Sequence, residues 1–105
     1  MADFDASAPA FDPVLGLCPL FVTVPRMEAV TLKVLVESYE GFGVARTEDP
    51  DYRPGRTLLA VLLVPDFVTD AMAAIATVAE QLDIERVDAT GDLLERLRRE
   101  LGCAE

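Results

Sequence analysis

The hydrophobic pattern of this chain is centred on residues 57–64, a run of eight apolar or near-apolar positions with turn signals at both ends. Pro54-Gly55 precedes the run and Pro65-Asp66 follows it. Such dipeptides are typical of turns, because proline presets φ and glycine tolerates a positive φ. A strand that is apolar on both alternating faces must be buried on both sides. The pattern therefore predicts a central β-strand over residues 57–64.

Three further strands are predicted around this one. Residues 19–25 are β-branched and apolar between two prolines, which indicates a second central strand. Residues 42–48 and 84–89 alternate polar with apolar or small side chains, as edge strands do. A long hairpin loop over residues 49–55 is expected to join the first edge strand to the central one.

Residues 26–40 fit two structures. Val30, Leu32 and Val34 alternate with polar residues as a strand would, whereas a helix would place Lys33 and Glu37 four residues apart on an outer face. The length of the segment and its charged outer face favour the helix. Gly41 is then expected to end that helix in a left-handed conformation.

Two helices are predicted in the second half of the chain. Residues 67–82 keep helical spacing of apolar side chains, and Asp66 is expected to cap them. A C-terminal helix is expected over residues 92–101, with Asp92 and Glu95 as a capping box and Gly102 as the residue that ends it.

The order of these elements, β-α-β-β-α-β followed by a helix, predicts a ferredoxin-like α+β fold with an antiparallel sheet and an appended C-terminal helix. Residues 1–17 show neither the two-residue alternation of a strand nor the 3.6-residue period of a helix, and we interpret them as a flexible acidic arm. Residues 18–105 are interpreted as a single domain. Two helices cover one sheet face, so the second needs a cover: the C-terminal helix or another subunit. Counting these faces, we expect a homodimer that pairs through sheet faces or exchanged C-terminal helices.

The net charge of the chain limits the classes of partner that it is expected to bind. The formal net charge is −10, from 19 acidic and 9 basic residues, which disfavours nucleic acid and anionic membrane surfaces as partners. No apolar run approaches the roughly 20 residues of a membrane span. Asp3, Asp5 and Asp12 stand where a signal peptide would be basic, so a cytoplasmic location is expected.

Little in the composition indicates catalysis. The chain has no histidine, which removes the commonest general base and the commonest transition-metal ligand. Cys18 and Cys103 lie near opposite ends and are interpreted as reduced thiols. The acidic residues 48–51 lack calcium-ligand spacing, and the arginines of residues 96–99 alternate with acids as on a solvated helix face. We therefore expect no catalytic residue, no metal and no cofactor.

One group of residues is a candidate ligand site. Glu37, Tyr39, Glu40 and Gly41 would lie where the first helix ends, and Arg46 on the adjoining strand would be able to fork onto a carboxylate. The competing interpretation is structural, with Tyr39 packed, Gly41 ending the helix and the acids solvated.

The run LKVLVESYEGF over residues 32–42 resembles a family of small bacterial proteins of unknown function, in which a helix ends in Glu-x-Tyr-acid-Gly-hydrophobic. A Thr-x-Asp-Pro turn follows there, as residues 47–50 do here. The resemblance covers roughly residues 20–82, implies a ferredoxin-like fold and implies no known activity. The architecture is also similar to ACT-like modules, which bind amino acids between subunits, although Pro25 and Arg26 stand where a glycine often follows their first strand.

These observations favour a noncatalytic oligomeric module that binds a small ligand or a partner protein. Two alternatives remain open. One is a small carboxylate-dependent enzyme built on Glu37, Tyr39, Glu40 and Arg46, and the other is a structural subunit of a larger assembly.

Overall fold

A computed structural model describes residues 4–39 and 41–101 of the chain. Within these residues the regular elements are β1 Cys18–Pro25, α1 Ala29–Ser38, β2 Gly43–Arg53, β3 Arg56–Leu63, α2 Val68–Leu82, β4 Glu85–Val87 and α3 Gly91–Leu101. Single 3-10 turns, Arg26–Glu28 and Pro65–Phe67, lead into α1 and α2.

The four strands form one antiparallel sheet in the order β2-β3-β1-β4. β1 and β3 pair along their whole length, from Cys18 opposite Leu63 to Pro25 opposite Arg56. The two apolar strands are therefore central and the two polar strands are at the edges, as the sequence predicts. The α+β class, the antiparallel sheet and the C-terminal helix are confirmed.

The segment after β1 is a helix, so the strand alternative for residues 26–40 is wrong. Leu32 and Val36, one turn apart on α1, are buried against the sheet. The helix ends earlier than predicted, because Tyr39 is already extended with φ −94° and ψ 114°. Gly41 has φ +90° but lies in the turn into β2, where an added Cβ would stand 3.1 Å from the Phe67 ring.

The predicted long loop between β2 and β3 is wrong. β2 continues to Arg53, and only Pro54 and Gly55 form the turn, with Gly55 at φ +77°. Two register shifts, one between residues 47 and 49 and one between residues 49 and 53, let the strand pass Pro50. Such bulges accommodate a residue that cannot donate to the ladder.

Two predicted helix caps are also wrong. Asp66 lies within the 3-10 turn and makes no capping hydrogen bond. α3 begins at Gly91, and Thr90 rather than Asp92 caps it: the Thr90 hydroxyl accepts a hydrogen bond from the Leu93 N–H (3.3 Å), and its carbonyl accepts one from the Leu94 N–H (3.0 Å). The expected role of Gly102 as the helix terminator falls outside the described residues.

The main core lies between the sheet and the helices α1 and α2. The inward row of β3, Leu59, Val61 and Leu63, meets Met72 and Ile75 of α2 there. All five side chains are almost completely inaccessible. The helical spacing predicted for residues 67–82 thus corresponds to a packed face.

A second, smaller core lies on the opposite sheet face. Phe21, Leu58, Ala60 and Leu62 pack there against Leu97, the buried residue of α3. Of the two covers considered for this face, the chain's own C-terminal helix is the one present. The homodimer is predicted because the second sheet face needs a cover, and α3 supplies that cover. The homodimer itself stays a prediction.

None of the helices in the described part of the chain is long and apolar enough to cross a membrane.

Candidate functional site

The segment before β1 is positioned by a turn built on Asp12. The Asp12 N–H donates to the Leu17 carbonyl (2.8 Å), and its carboxylate Oδ1 accepts hydrogen bonds from the N–H groups of Val14 (2.9 Å) and Leu15 (3.3 Å). Gly16 completes the turn at φ +72°, a conformation that glycine adopts without strain. Residues 4–17, which we call the N-terminal arm, thereby run back along the sheet; their predicted flexibility stays a prediction.

α3 holds this turn from the other side. Arg98 Nε donates to Asp12 Oδ2 at 2.8 Å, and the Asp12 side chain is almost fully buried. Burial alone raises the pKa of Asp12, but the hydrogen bonds from Arg98, Leu15 and Val14 outweigh that effect and hold the pKa below its ordinary value. Asp12 is therefore a charged anchor at neutral pH.

β4 holds the start of the arm through Arg86. Its Nη1 donates to the backbone carbonyls of Asp5 (2.8 Å) and Ser7 (2.7 Å). The amide and hydroxyl of Ser7 lower the pKa of the Asp5 carboxyl, with a smaller contribution from Arg86. The arm is thus tied to β4 of the sheet by Arg86 and to α3 by Arg98.

A cavity of about 240 Å³ lies beneath the arm, and we call it the arm cleft. Its walls come from the arm, β1, β4 with the loop after it, and α3. The lining residues are Pro9, Ala10, Phe11, Asp12, Pro19, Leu20, Phe21, Arg86, Val87, Asp88, Ala89, Leu94 and Arg98.

The cleft combines apolar walls with surplus hydrogen-bond donors. Arg98 uses only Nε on Asp12, so neither of its Nη atoms has an acceptor among the described residues. Arg86 uses only Nη1, and its Nε and Nη2 likewise have none within the described part of the chain. Both oxygens of Asp12, in contrast, already accept hydrogen bonds. Around the cleft, the groups with unused hydrogen-bonding capacity are the guanidinium donors of Arg86 and Arg98, which are the groups that recognise carboxylates, and the exposed Asp88 carboxylate, which accepts no hydrogen bond from the described residues.

The described residues of the predicted ligand site do not all lie in one place. Glu37 lies on α1, and its carboxylate accepts a hydrogen bond from the Ala45 N–H at 3.3 Å. Tyr39 stacks on the neighbouring Phe42 ring, with centroids 4.7 Å apart. Glu40 lies outside the described residues. Ligand binding at the end of α1 stays a prediction, although Arg46 does not lie with Glu37 and Tyr39.

That arginine, Arg46, faces the opposite side of the sheet. Its Nε lies 2.7 Å from the buried Glu48 carboxylate, and its Nη2 donates to Glu100 of α3 at 2.6 Å. Arg96 of α3 donates in turn to the Glu48 carbonyl at 2.8 Å. Alternation along β2 separates Ala45, on the α1 side, from Arg46, on the α3 side. Arg46 therefore fastens α3 to the sheet edge, and the carboxylate-dependent enzyme built on Glu37, Tyr39, Glu40 and Arg46 stays a prediction.

The remaining chemical candidates are placed as follows. Cys18 is buried at the start of β1, and burial raises the pKa of its thiol, which disfavours the reactive thiolate. In the described ranges, no three His, Cys, Asp or Glu side chains are grouped closely enough to hold a metal ion. Cys103 lies beyond the described residues.

Sequence reasoning missed the arm cleft. The sequence pattern places Asp12 in a flexible acidic arm and Arg98 on a solvated helix face, yet the two side chains meet across 86 positions of sequence. One signal was available: the Asp12-Pro13-Val14-Leu15-Gly16 run is a turn sequence, with an Asp able to bond its own backbone and a Gly four residues later.

Comparison with known proteins gave no match to this chain among protein-family models, curated proteins or solved structures. The resemblance to the small bacterial family stays a hypothesis that depends on residues 32–42.

Proposed function

We propose that this protein is a noncatalytic module that binds a small carboxylate in the arm cleft. The observation that supports the proposal most is the cavity of about 240 Å³ lined by Arg86 and Arg98. Pockets for drug-sized ligands measure about 300–1,000 Å³, so the cleft suits a smaller organic acid.

The chemistry of the lining favours a ligand with one acidic end and an apolar body. A planar guanidinium can bind a carboxylate through two parallel hydrogen bonds, and neither Nη atom of Arg98 has an acceptor among residues 4–39 and 41–101. Phe11, Val87 and Leu94 supply an apolar wall for an aliphatic or aromatic body. A neutral ester or amide of the same acid would lose the charged hydrogen bonds, worth about 1.5–3 kcal/mol each.

The noncatalytic part of the proposal is supported by the acid–base character of the cleft. Its buried carboxyl, Asp12, has a lowered pKa and is held by Arg98, so it is a poor proton acceptor. The described lining includes no Ser, Cys, Lys or Tyr side chain that would serve as a nucleophile.

We also propose that the architecture belongs with the ferredoxin-like folds. The sheet order β2-β3-β1-β4, with β1 and β3 central, supports this class, and the very short β4 is its weakest element. A fold of this class is compatible with a ligand-binding role, and the binding proposal depends on the residues of the arm cleft and not on the fold.

The test is a thermal-shift screen of small aliphatic and aromatic carboxylates, each beside its methyl ester, followed by calorimetry on any acid that stabilises the chain. A ligand at about 100 times its Kd stabilises the folded state by about 2.7 kcal/mol. Arg98→Gln should weaken binding by at least about 100-fold, because two charged hydrogen bonds worth about 1.5–3 kcal/mol each are lost.

Two variants make the test specific. Ala89→Trp fills the cleft without removing a charge and should abolish binding, whereas Arg99→Gln changes an exposed arginine of the same helix and should leave the Kd unchanged. Stabilisation by esters as much as by acids, or equal affinity in Arg98→Gln and the unaltered chain, would refute the proposed carboxylate site. An absence of any stabilising acid would do the same.

A further inference from the structure

The outer surface of α1 and of the 3-10 turn that leads into it carries an apolar stripe, the α1 stripe, that nothing in the described structure covers. Met27, Val30 and Val34 are 82%, 68% and 60% exposed, and they follow one another at helical spacing. The neighbouring helix α2, in the same layer, exposes small or polar residues such as Ala73 and Thr77 instead. We propose that this α1 stripe is a surface on which two copies of the chain pair.

Charge indicates that the occupant is a second copy. Residues 26–38 contain two basic and two acidic side chains, Arg26, Lys33, Glu28 and Glu37, so the net charge of −10 lies entirely outside this segment. Two molecules with a charge of −10 repel one another at most orientations, and the repulsion is smallest where a neutral surface faces a neutral surface. The α1 stripe is such a surface.

An isologous interface uses the same patch on both subunits, and a two-fold axis perpendicular to the helices would set them antiparallel. Neither end of the segment brings a net charge to such a contact, because each half carries one basic and one acidic residue: Arg26 with Glu28, and Lys33 with Glu37. A bilayer fits the stripe less well, because amphipathic membrane helices carry a basic flank to meet anionic headgroups.

The size of the stripe sets the strength of pairing. Residues 26–38 span about 20 Å or less of helix, so the contact falls at the lower end of specific interfaces, below about 1,200 Å² in total. We therefore expect a weak dimer with a Kd of about 10–100 µM. This surface is separate from the arm cleft and from α3, so pairing here involves neither the proposed ligand site nor an exchange of helices.

Sedimentation velocity on the full chain from about 5 µM to about 500 µM tests the proposal. We expect a concentration-dependent shift from monomer to dimer that Val30→Glu weakens at least tenfold. Ala73→Glu introduces the same charge at an exposed position of α2 and should change the Kd less than about threefold. Raising the salt concentration from about 50 mM to about 500 mM should strengthen pairing, because it screens the repulsion while leaving the apolar contact intact.

Several results would overturn the proposal. They are a monomer throughout the concentration range, a dimer that Val30→Glu leaves intact, or equal dissociation by Val30→Glu and Ala73→Glu. A dimer that Leu97→Glu dissociates while Val30→Glu does not would assign pairing to α3. Circular dichroism of Val30→Glu confirms folding, which an exposed helix position should preserve.

Discussion

Replacing Leu97 with alanine tests whether α3 is part of the cooperative fold. Leu97 is the fully buried side chain of α3 on the second sheet face, where the partly buried Leu93 and Leu94 also pack. Leu→Ala changes at such sites lower the free energy of unfolding by about 2–5 kcal/mol, through lost burial and a residual cavity. Because the neighbours include rigid sheet residues such as Phe21, Leu58 and Leu62, we expect limited collapse and a loss of about 3 kcal/mol.

Urea unfolding followed by circular dichroism measures this loss. A domain of this size has a stability of about 5–15 kcal/mol and an m-value of about 1–3 kcal/mol/M, so the midpoint should fall by about 2 M with an unchanged m-value. The matched control is Leu101→Ala at the end of the same helix, where the side chain is 42% exposed and the loss should stay below about 1 kcal/mol.

The same experiment separates two ways in which the reasoning can fail. A loss below about 1 kcal/mol for Leu97→Ala would mean that α3 does not bury this side chain in solution. A large loss with a lower m-value and binding of a hydrophobic dye under native conditions would mean that α3 detaches while the rest stays folded.

Three further predictions follow from the described contacts. The free energy of unfolding should fall as the pH drops through the lowered pKa of Asp12, because a carboxyl with a depressed pKa in the folded state stabilises that state only while it is ionised. Urea titrations from about pH 6 to about pH 2 measure this decline, and Asp12→Asn should make it shallower. Gly43→Ala should prevent folding or remove more than about 3 kcal/mol, since its Cβ would stand 1.9 Å from the Leu62 carbonyl oxygen. Cys18, studied in a Cys103→Ser chain, should react with a thiol reagent only as fast as the protein opens, because the thiol is buried and its pKa is raised.

Each of these has a control and a contrary result. Asp88→Asn, an exposed acid at the cleft, should leave the pH profile as it is, and an identical flattening in both variants would remove Asp12 as the cause. Gly91→Ala has open space for a Cβ and should be nearly neutral, so equal losses at both glycines would contradict the steric argument. Labelling of Cys18 at the rate of a free thiol under native conditions would show that the site is open.

The local sequence was most informative where one periodicity dominated. Residues 57–64 form a buried strand to within one residue, and residues 67–82 form an amphipathic helix to within one residue. These predictions succeed because burial on both faces, or on one helical stripe, leaves a signal within the segment itself.

Helix starts and turns were less predictable, because their signals compete. Asp66, Asp92 and Thr90 are all acceptable caps in sequence, and the path of the chain into each helix selects among them. Pro50 indicated a loop in the sequence, yet a bulged edge strand accommodates it in the sheet.

The candidate ligand site shows most clearly that sequence position alone does not predict which side chains are neighbours. The sequence places Glu37 and Arg46 nine positions apart, but they lie on opposite faces of the sheet, since α1 covers one face and β2 sends Arg46 to the other. Asp12 and Arg98 look unrelated in sequence, and yet they make a direct ion pair at 2.8 Å.

The sequence by itself determined the order of strands and helices, the central position of the two apolar strands and the absence of histidine chemistry. Only the tertiary structure decided that α3 covers the second face, that the arm lies over a cleft with two arginines, and that an apolar stripe on α1 is left exposed. The reason is physical: periodicity records how a segment divides its side chains between buried and exposed faces, within a few residues. Which distant segment supplies the buried partner depends on the path of the whole chain.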